Sequence, residues 1–475
     1  MSIATRAAAD GRQVADRVTA LVERARTAQR EFETYDQRRV DDVVDAVAWA
    51  IVEPGRAQAL AELAVADTGL GNVSDKYAKN RRKTMGTLRD LQAGRSVGVI
   101  REIPELGLTE YAKPMGVVAA VCPSTNPAAT PANKALMALK AGNAVILSPS
   151  PKGASTCQLL LSYIREQLAV VGAPSDLVQA IDEPSKELTY ELMRQADFVV
   201  VTGSQKNVRA AYSSGTPAIG VGVGNAPVLI DADADLSDAA AKIALSKTFD
   251  YATSCSSENS VHIHDAVYDD AVEELRAAGG YLLDEHQRAR LQQAMWPDGS
   301  LSQGVTAQSP ATIAQHAGLD IPDGTTFIMV EEDAYGPEHP FSGEKLSVVL
   351  TVYRWSDLDD ALARIQGILD FQGAGHSCGI HTRSDDRARQ VAERLRVARV
   401  LVNQAHAFGN GGSFDNGLGF TLTMGAGTWA GNSISENLSY RHFLNTTRLA
   451  RVIEPREPSE ADLFGHYRRR YGVDA

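Results

Sequence analysis

The apolar positions of this chain change rhythm several times. From Arg6 to about Ala66 they recur every three or four residues among Arg, Asp and Glu, as in VADRVTALVERA and VDDVVDAVAWAIV, which predicts helix. A polar helical stretch follows, DKYAKNRRKTMGTLRDLQ. Between Ser96 and about Met115 the text turns strand-like, with VGVIREI and LTEYAKP on either side of a Pro-Glu-Leu-Gly turn. Alternation comes next. GVVAAVCP reads as a buried strand, ANKALMALKAG as a helix stopped by Gly142, and NAVILSPSP as a strand. Ser155 to Val171 reads as a helix and DFVVVTGS as another strand. Strands alternating with helices predict a parallel, doubly wound α/β sheet whose ligands bind at the strand ends.

After Asp231, DADADLSDAAAKIALSKTF predicts a helix entered through acidic residues. A second alternating region runs from about Ser260 to Thr428, with HIH, FIMVEE, SVVLTVYRW, SCGIHT and RVLVN as strands. YRHFLNTTRLARVIEP looks extended throughout, and the tail PSEADLFGHYRRRYGVDA a short helix. No internal repeat and no low-complexity segment is visible.

Length and composition narrow the class. At about 150 residues per domain, 475 residues suggest several structural units. Apolar residues at 44% and charged residues at 22% exclude a disordered chain or a fibre. The net charge of −12 argues against nucleic-acid binding. Cys122, Cys157, Cys255 and Cys378 make no disulfide framework and no zinc-like spacing, so no metal is expected and a reducing compartment is. The charged N-terminus does not read as a secretory signal, and no apolar run of about 18 residues is present to span a membrane. A cytoplasmic protein is the default.

Four places carry candidate chemistry. Cys255, in YATSCSSENSV, sits in a turn of small polar residues between a helical run and the strand VHIH. Such a turn leaves a thiol partly exposed beside backbone N–H groups, which favours thiolate and nucleophilic attack. Most free cysteines are small buried apolar residues, and the turn alone leaves both roles open. Asn126, framed by Pro123, Pro127 and Pro131, is either a preorganised oxyanion donor or an ordinary turn residue. VVVTGSQKNV is a strand entering a glycine turn, without the GxGxxG fingerprint. Glu344, in HPFSGEKLSVVL, is placed to orient a ribose or to be a solvated turn charge.

Long motifs in register extend over essentially the whole chain: PMGVVAAVCPSTNP, ALKAGNAVILSPSP, AAYSSGTPAIGVGVGNAP, SCSSENSV, PFSGEKLSVVL, GAGHSCGIHT and TMGAGTWAGNSISENLSYRHFLN. On these the chain resembles the aldehyde dehydrogenase superfamily, and within it the CoA-acylating branch. The resemblance implies a Rossmann-like NAD(P)-binding domain (1–95 and 116–232) and an α/β catalytic domain (233–430). It also implies a β-hairpin oligomerisation arm (96–115 and 440–455), followed here by a C-terminal tail (456–475). A homodimer or homotetramer is the expected assembly.

The resemblance also implies roles. Cys255 falls on the nucleophile and Asn126 on the oxyanion amide. Glu344 falls on the glutamate that positions the nicotinamide ribose, and Thr202, Gly203 and Ser204 on the turn beside the pyrophosphate. LSPSPKG falls where hydrolytic members hold the adenine ribose, making Ser148 and Lys152 candidates there. With no acidic residue in that segment a 2′-phosphate is not repelled, and Lys152 is a partner for it. NADP is therefore favoured and NAD stays open. His376 matches a histidine of acylating members, expected either to help deprotonate the CoA thiol or to hold a backbone carbonyl.

One departure is chemical. Hydrolytic members carry a glutamate in an Glu-Leu-Gly-Gly motif that activates water. Here the matching residues 220–227 read GVGVGNAP, with no carboxylate. A thioester on Cys255 without that base fits release by CoA. The stretches NQAHAFGNGGSFDNG and ENLSYRHFLN are similar to those of acylating sulfoacetaldehyde dehydrogenases. A sulfonate requires a cation or several N–H donors, for which His406, Arg441 and His442 are the candidates. Arg441 is equally an interface residue of the arm. Unsulfonated short aldehydes (acetaldehyde, propionaldehyde, succinate semialdehyde) remain the alternative substrates. A hydrolytic enzyme and an inactive structural relative remain the alternative functions.

Overall fold

Capping residues divide the helical opening of the chain into three. Helix α1 (Ile3–Phe32) is followed by α2 (Gln37–Val52), whose first turn is capped by the Asp36 carboxylate accepting from Arg39 N–H. Glu53 ends α2 and caps α3 (Pro54–Thr68), which starts on Pro54 as an N-terminal proline does. Helix α4 (Val73–Gln92) is the polar stretch, yet it buries Lys76, Lys79, Asn80, Thr84 and Thr87. Its polarity reflects an inward-facing polar site, not a solvated face. The computed structural model describes residues 3–473.

The strand-like segment after α4 forms β1 (Gly98–Ile103) and β2 (Leu108–Pro114), an antiparallel hairpin. The alternating region forms β3 (Val117–Val121), β4 (Ala144–Ser148), β5 (Val178–Ala180), β6 (Phe198–Thr202) and β7 (Ala218–Val221). These pair in the order β5-β4-β3-β6-β7, all parallel. Helices α5 (Ala129–Lys140), α6 (Ala154–Val170), α7 (Lys186–Gln195) and α8 (Gln205–Tyr212) connect them. Every residue of β3 and β4 is buried, as expected for central strands covered on both faces. The strand order reverses between β3 and β6, which opens a crevice at their C-terminal ends.

A second parallel sheet collects β8 (Pro227–Ile230), β9 (Ser260–His264), β10 (Gly280–Leu282), β11 (Phe327–Glu331), β12 (Val349–Trp355), β13 (Cys378–His381) and β14 (Val400–Val402). Its order is β10-β11-β12-β9-β8-β13-β14. Helix α9 (Leu236–Thr248) leads from β8 toward β9. The C-terminal segment is not extended throughout. Tyr440–Phe443 is a 3-10 turn, capped reciprocally by Ser439 and His442, and only then does β15 (Leu444–Ala450) begin. Strand β15 joins β2 to complete a three-stranded antiparallel sheet. The tail forms the exposed helix Glu460–Tyr471. Among the described residues no helix is long and apolar enough to cross a membrane.

Two connections position the chemistry. Residues 222–226 carry the chain from β7 in the first sheet to β8 in the second, and residues 249–259 link α9 to β9. They meet at Gly224 and Cys255.

Candidate active site

The segment before Cys255 is held in an unfavourable backbone. Asp250, Tyr251 and Ala252 have φ of 51°, 49° and 59°, three consecutive non-glycine residues in the left-handed region. Each such residue costs on the order of 1–3 kcal/mol and persists only where its surroundings hold it. Asp250 supplies the hold. Its carboxylate accepts from Lys76 Nζ (3.1 Å), Lys79 Nζ, Thr253 Oγ1 (2.7 Å) and Asn72 N–H (3.0 Å). Its own N–H donates to Asp75 (2.7 Å). Burial pushes the Asp250 carboxyl up, but Lys79 and Lys76 more than offset this and leave it below its ordinary range. No sequence pattern shows this network, because its members lie some 175 residues apart.

Lys79 also reaches Asn126. Its ammonium donates to Asn126 Oδ1 at 2.9 Å, while Asn126 Nδ2 has only a 3.4 Å contact to Thr125. The oxygen of the amide is thus anchored and its NH2 left to donate elsewhere. Asn126, Ser254 and Ser256 line one small pocket with Lys79, Arg82 and Lys83.

Cys255 is the part-exposed cysteine; Cys122, Cys157 and Cys378 are buried. The expectation of a thiolate-favouring turn needs correction. Burial first, and Glu344 second, push the Cys255 thiol up to about 12, against weaker downward pulls from Ser256 and Arg399. The turn is packed, not open: Ser256 Oγ meets Met424 and accepts from Asn410 Nδ2 (2.9 Å). Burial and Glu344 both favour the thiol over the thiolate at this position.

Gly224 lies between Cys255 and His376. A Cβ on residue 224 would stand 2.8 Å from the Cys255 Cβ and 2.8 Å from His376 Nε2. Gly224 N–H donates to Glu344 Oε1 (3.2 Å), and burial raises the Glu344 carboxyl to about 8, partly offset by that bond. His376 Nε2 is buried without a partner, whereas Nδ1 meets Ser377 Oγ at 2.7 Å. The same Ser377 Oγ meets His406 Nε2 at 2.8 Å. Burial, with Arg399 and the other imidazole as smaller causes, holds His376 well below its ordinary range. His376 is therefore neutral, with an unengaged nitrogen on the Cys255 side. A backbone hydrogen bond with Asn225 pulls weakly the other way, so a structural role for the ring stands beside the catalytic one. Arg399 Nη2 donates to the His376 carbonyl (2.9 Å).

The other candidates separate. Ser148, Thr202, Gly203 and Ser204 share a cleft at the ends of β3, β4 and β6. Ser204 caps α8, and Gly203 (φ 155°) has open space where a Cβ would be. No carboxylate lines this cleft among the described residues, and Lys186 and Lys206 do. Lys152 is outside it: exposed, its ammonium meets Gln303 (3.0 Å). It sits on a 3-10 turn, Pro151–Gly153, whose Pro151 does line the cleft. Lys186 was missed because it falls on no quoted motif, and Lys206, inside VVVTGSQKNV, because only the glycine turn of that motif was singled out.

The predicted anion ligands also move. His406 is fully buried behind Ser377, so it presents nothing to a substrate. Arg441 is exposed over the Tyr440 ring and lines a separate cleft with Asp90 and Glu436. His442 is engaged by Glu436 and Ser439. The cations at the Asn126 pocket are Lys79, Arg82 and Lys83, at positions i, i+3 and i+4 of α4. That spacing puts them on one helical face, a signal present in KNRRK but concealed by the polarity of the whole stretch.

The aldehyde dehydrogenase family profile matches residues 4–283. The acylating sulfoacetaldehyde dehydrogenase of Cupriavidus necator is 56% identical over 96% of this chain and 94% of its own. That of Bilophila wadsworthia is 42% identical over 96% of this chain and 99% of its own. Among solved structures, an acetylating aldehyde dehydrogenase from Geobacillus thermoglucosidasius superimposes with a TM-score of 0.91 at 35% identity, covering 94% of this chain and 99% of that one.

Proposed function

The chain belongs to the aldehyde dehydrogenase family, and within it we propose that it converts a short aldehyde, sulfoacetaldehyde in the first place, to its acyl-CoA through a thioester on Cys255. The observation that carries CoA release is the loop 222–225. It passes directly beside Cys255 without a carboxylate of its own, and its glycines at 222 and 224 are packed against Gln205, Cys255 and His376, so neither of those two positions can carry a water-activating base. Identity to acylating sulfoacetaldehyde dehydrogenases supports the choice of aldehyde.

In this reading the Cys255 thiol passes its proton by way of His376 Nε2 to solvent, and the sulfur adds to the aldehyde carbon. Asn126 Nδ2 and the Cys255 N–H donate to the oxyanion, and Lys79 holds the amide in that orientation. Bound NAD(P)+ supplies the hydride acceptor. Its dinucleotide fits the carboxylate-free cleft beside Thr202, Gly203 and Ser204, with Glu344 holding the nicotinamide ribose. Lys186 and Lys206 replace Lys152 as partners for a 2′-phosphate, which favours NADP. The CoA thiol then gives its proton to His376 Nε2 and attacks the thioester carbon, and the Cys255 sulfur leaves. Ser377 and His406 extend that acceptor into a hydrogen-bonded chain. We assign the sheet of β1, β2 and β15 to contact with a second copy of the chain.

The test is NAD(P)H formation from sulfoacetaldehyde, acetaldehyde, propionaldehyde and succinate semialdehyde, with and without CoA, and with Cys255→Ala as control. Sustained turnover that requires CoA and is lost in the variant supports the reading. Equal turnover without CoA, yielding free acid, overturns it.

A further inference from the structure

We propose that Arg82 and Lys83 of α4 form the recognition site for the sulfonate of the substrate, an inference that rests on the aldehyde chemistry assigned above but names the group that selects the aldehyde. Their pocket is small and mostly apolar, walled by Phe249, Phe408, Leu422 and Met424, and it opens beside Asn126, Ser254 and Ser256. Two cations face it: Lys83 has no carboxylate acting on it, and Arg82 has only Asp415, which does not approach to ion-pair distance. Lys83 Nζ makes one protein hydrogen bond, to the Gly411 carbonyl at 2.8 Å, leaving two of its three N–H donors for a ligand. Arg82 Nη2 donates to Ser413 Oγ (3.0 Å) and more distantly to the Phe408 carbonyl (3.5 Å), with its guanidinium 5.1 Å and 5.5 Å from the Phe408 and Phe420 ring centres. Among the described residues neither forms an ion pair, unlike Lys76 and Lys79 on the same helix, which share Asp250.

Unpaired cations in an apolar pocket are costly unless something brings the opposite charge. A monoanion with three acceptor oxygens matches the donors available. The spacing matches too. Sulfur and carbonyl carbon are separated by one methylene, so the anion must occupy the chamber that holds the oxyanion. Lys83 lies one helical turn beyond Lys79, the residue that anchors Asn126, and such a pair is separated by about 5–6 Å between Cβ atoms.

Residues 404–416 build the support for these cations. Phe408, Gly411 and Ser413 all contact them. Gly411 must be small: a Cβ there would stand 2.9 Å from Lys83 Nζ and 2.7 Å from the Thr421 carbonyl.

Two measurements test the site without CoA. The first is the single-turnover burst of NAD(P)H. In Lys83→Met the second-order burst rate for sulfoacetaldehyde should fall roughly 10- to 100-fold, with a much smaller fall for propionaldehyde, and Lys83→Arg should recover part of the loss. An equal fall for both aldehydes would make Lys83 a brace for the 404–416 segment and overturn the proposal. The second uses wild-type enzyme and does not depend on a variant folding. Ethanesulfonate should slow alkylation of Cys255 by iodoacetamide, with ethanol as the neutral control. Failure to protect also overturns it. Turnover that proceeds without CoA would sink the acylating reading instead and leave the burst selectivity standing.

Discussion

One ammonium, that of Lys79, couples the charge balance of the site to Asn126, the oxyanion donor we propose. Asn126→Ala should lower the hydride-transfer rate by about 10²–10³-fold, read as the NAD(P)H burst, while alkylation of Cys255 by iodoacetamide persists. Lys83 gives a pH prediction. Burial first, then Arg82 and Lys79, lower its ammonium to about 7, against an upward pull from Cys255, the other titratable group that acts on it. The group is a cation below that value and neutral above it. The ratio of kcat/KM for sulfoacetaldehyde to that for propionaldehyde should therefore fall as pH rises from about 6 to 9, since this ratio reports the free enzyme. In Lys83→Arg the ratio should be flat over the same range, because guanidinium does not deprotonate there.

At the scale of elements, Asp250 carries most of the strain-holding contacts between α4 and the loop that presents Cys255. Replacing it by Ala leaves two buried lysines without their counter-ion and three left-handed residues without their anchor. We expect a loss of about 3–5 kcal/mol, measured as a lower denaturant midpoint, together with loss of activity. The same elements show what was legible from sequence. The parallel strands could be read from uninterrupted runs such as GVVAAV and FVVVT, because period and burial coincide there. Motifs singled out Cys255 and Glu344, which the structure brings to the same loop 222–225, and Asn126, which it brings to the pocket beside Ser254 and Ser256. No motif singled out the cations on α4. KNRRK reads as a solvated face, and only the tertiary packing of residues 408–424 over it turns that face inward. His406 failed for the complementary reason: a histidine near a motif looks like a ligand, whereas its backbone N–H is bonded to the buried Glu258 and its ring faces Ser377. Tyr440–Phe443 reads as extended, but the Ser439–His442 capping pair folds it into a turn.

At the scale of the molecule, two parallel sheets meet at the site, while the third sheet and the C-terminal helix stand outside both. The helix exposes Leu463, Phe464, Tyr467 and Tyr471, and Val452 beside the sheet is fully exposed. A chain truncated after Ala450 should assemble into fewer subunits than the full chain, counted by sedimentation or light scattering, and an unchanged subunit number would show that the tail takes no part in association. The loop between the sheets has a longer-term consequence. A side chain at residue 224 would overlap the thiol and imidazole positions, and one at 222 would overlap Gln205. A descendant that gained a carboxylate at either position would lose the old acceptor before it could use the new one. At these two positions volume, more than charge, therefore bars the gain of a water-activating carboxylate, and only the neighbouring Val221 and Val223, which already carry side chains, leave room for one.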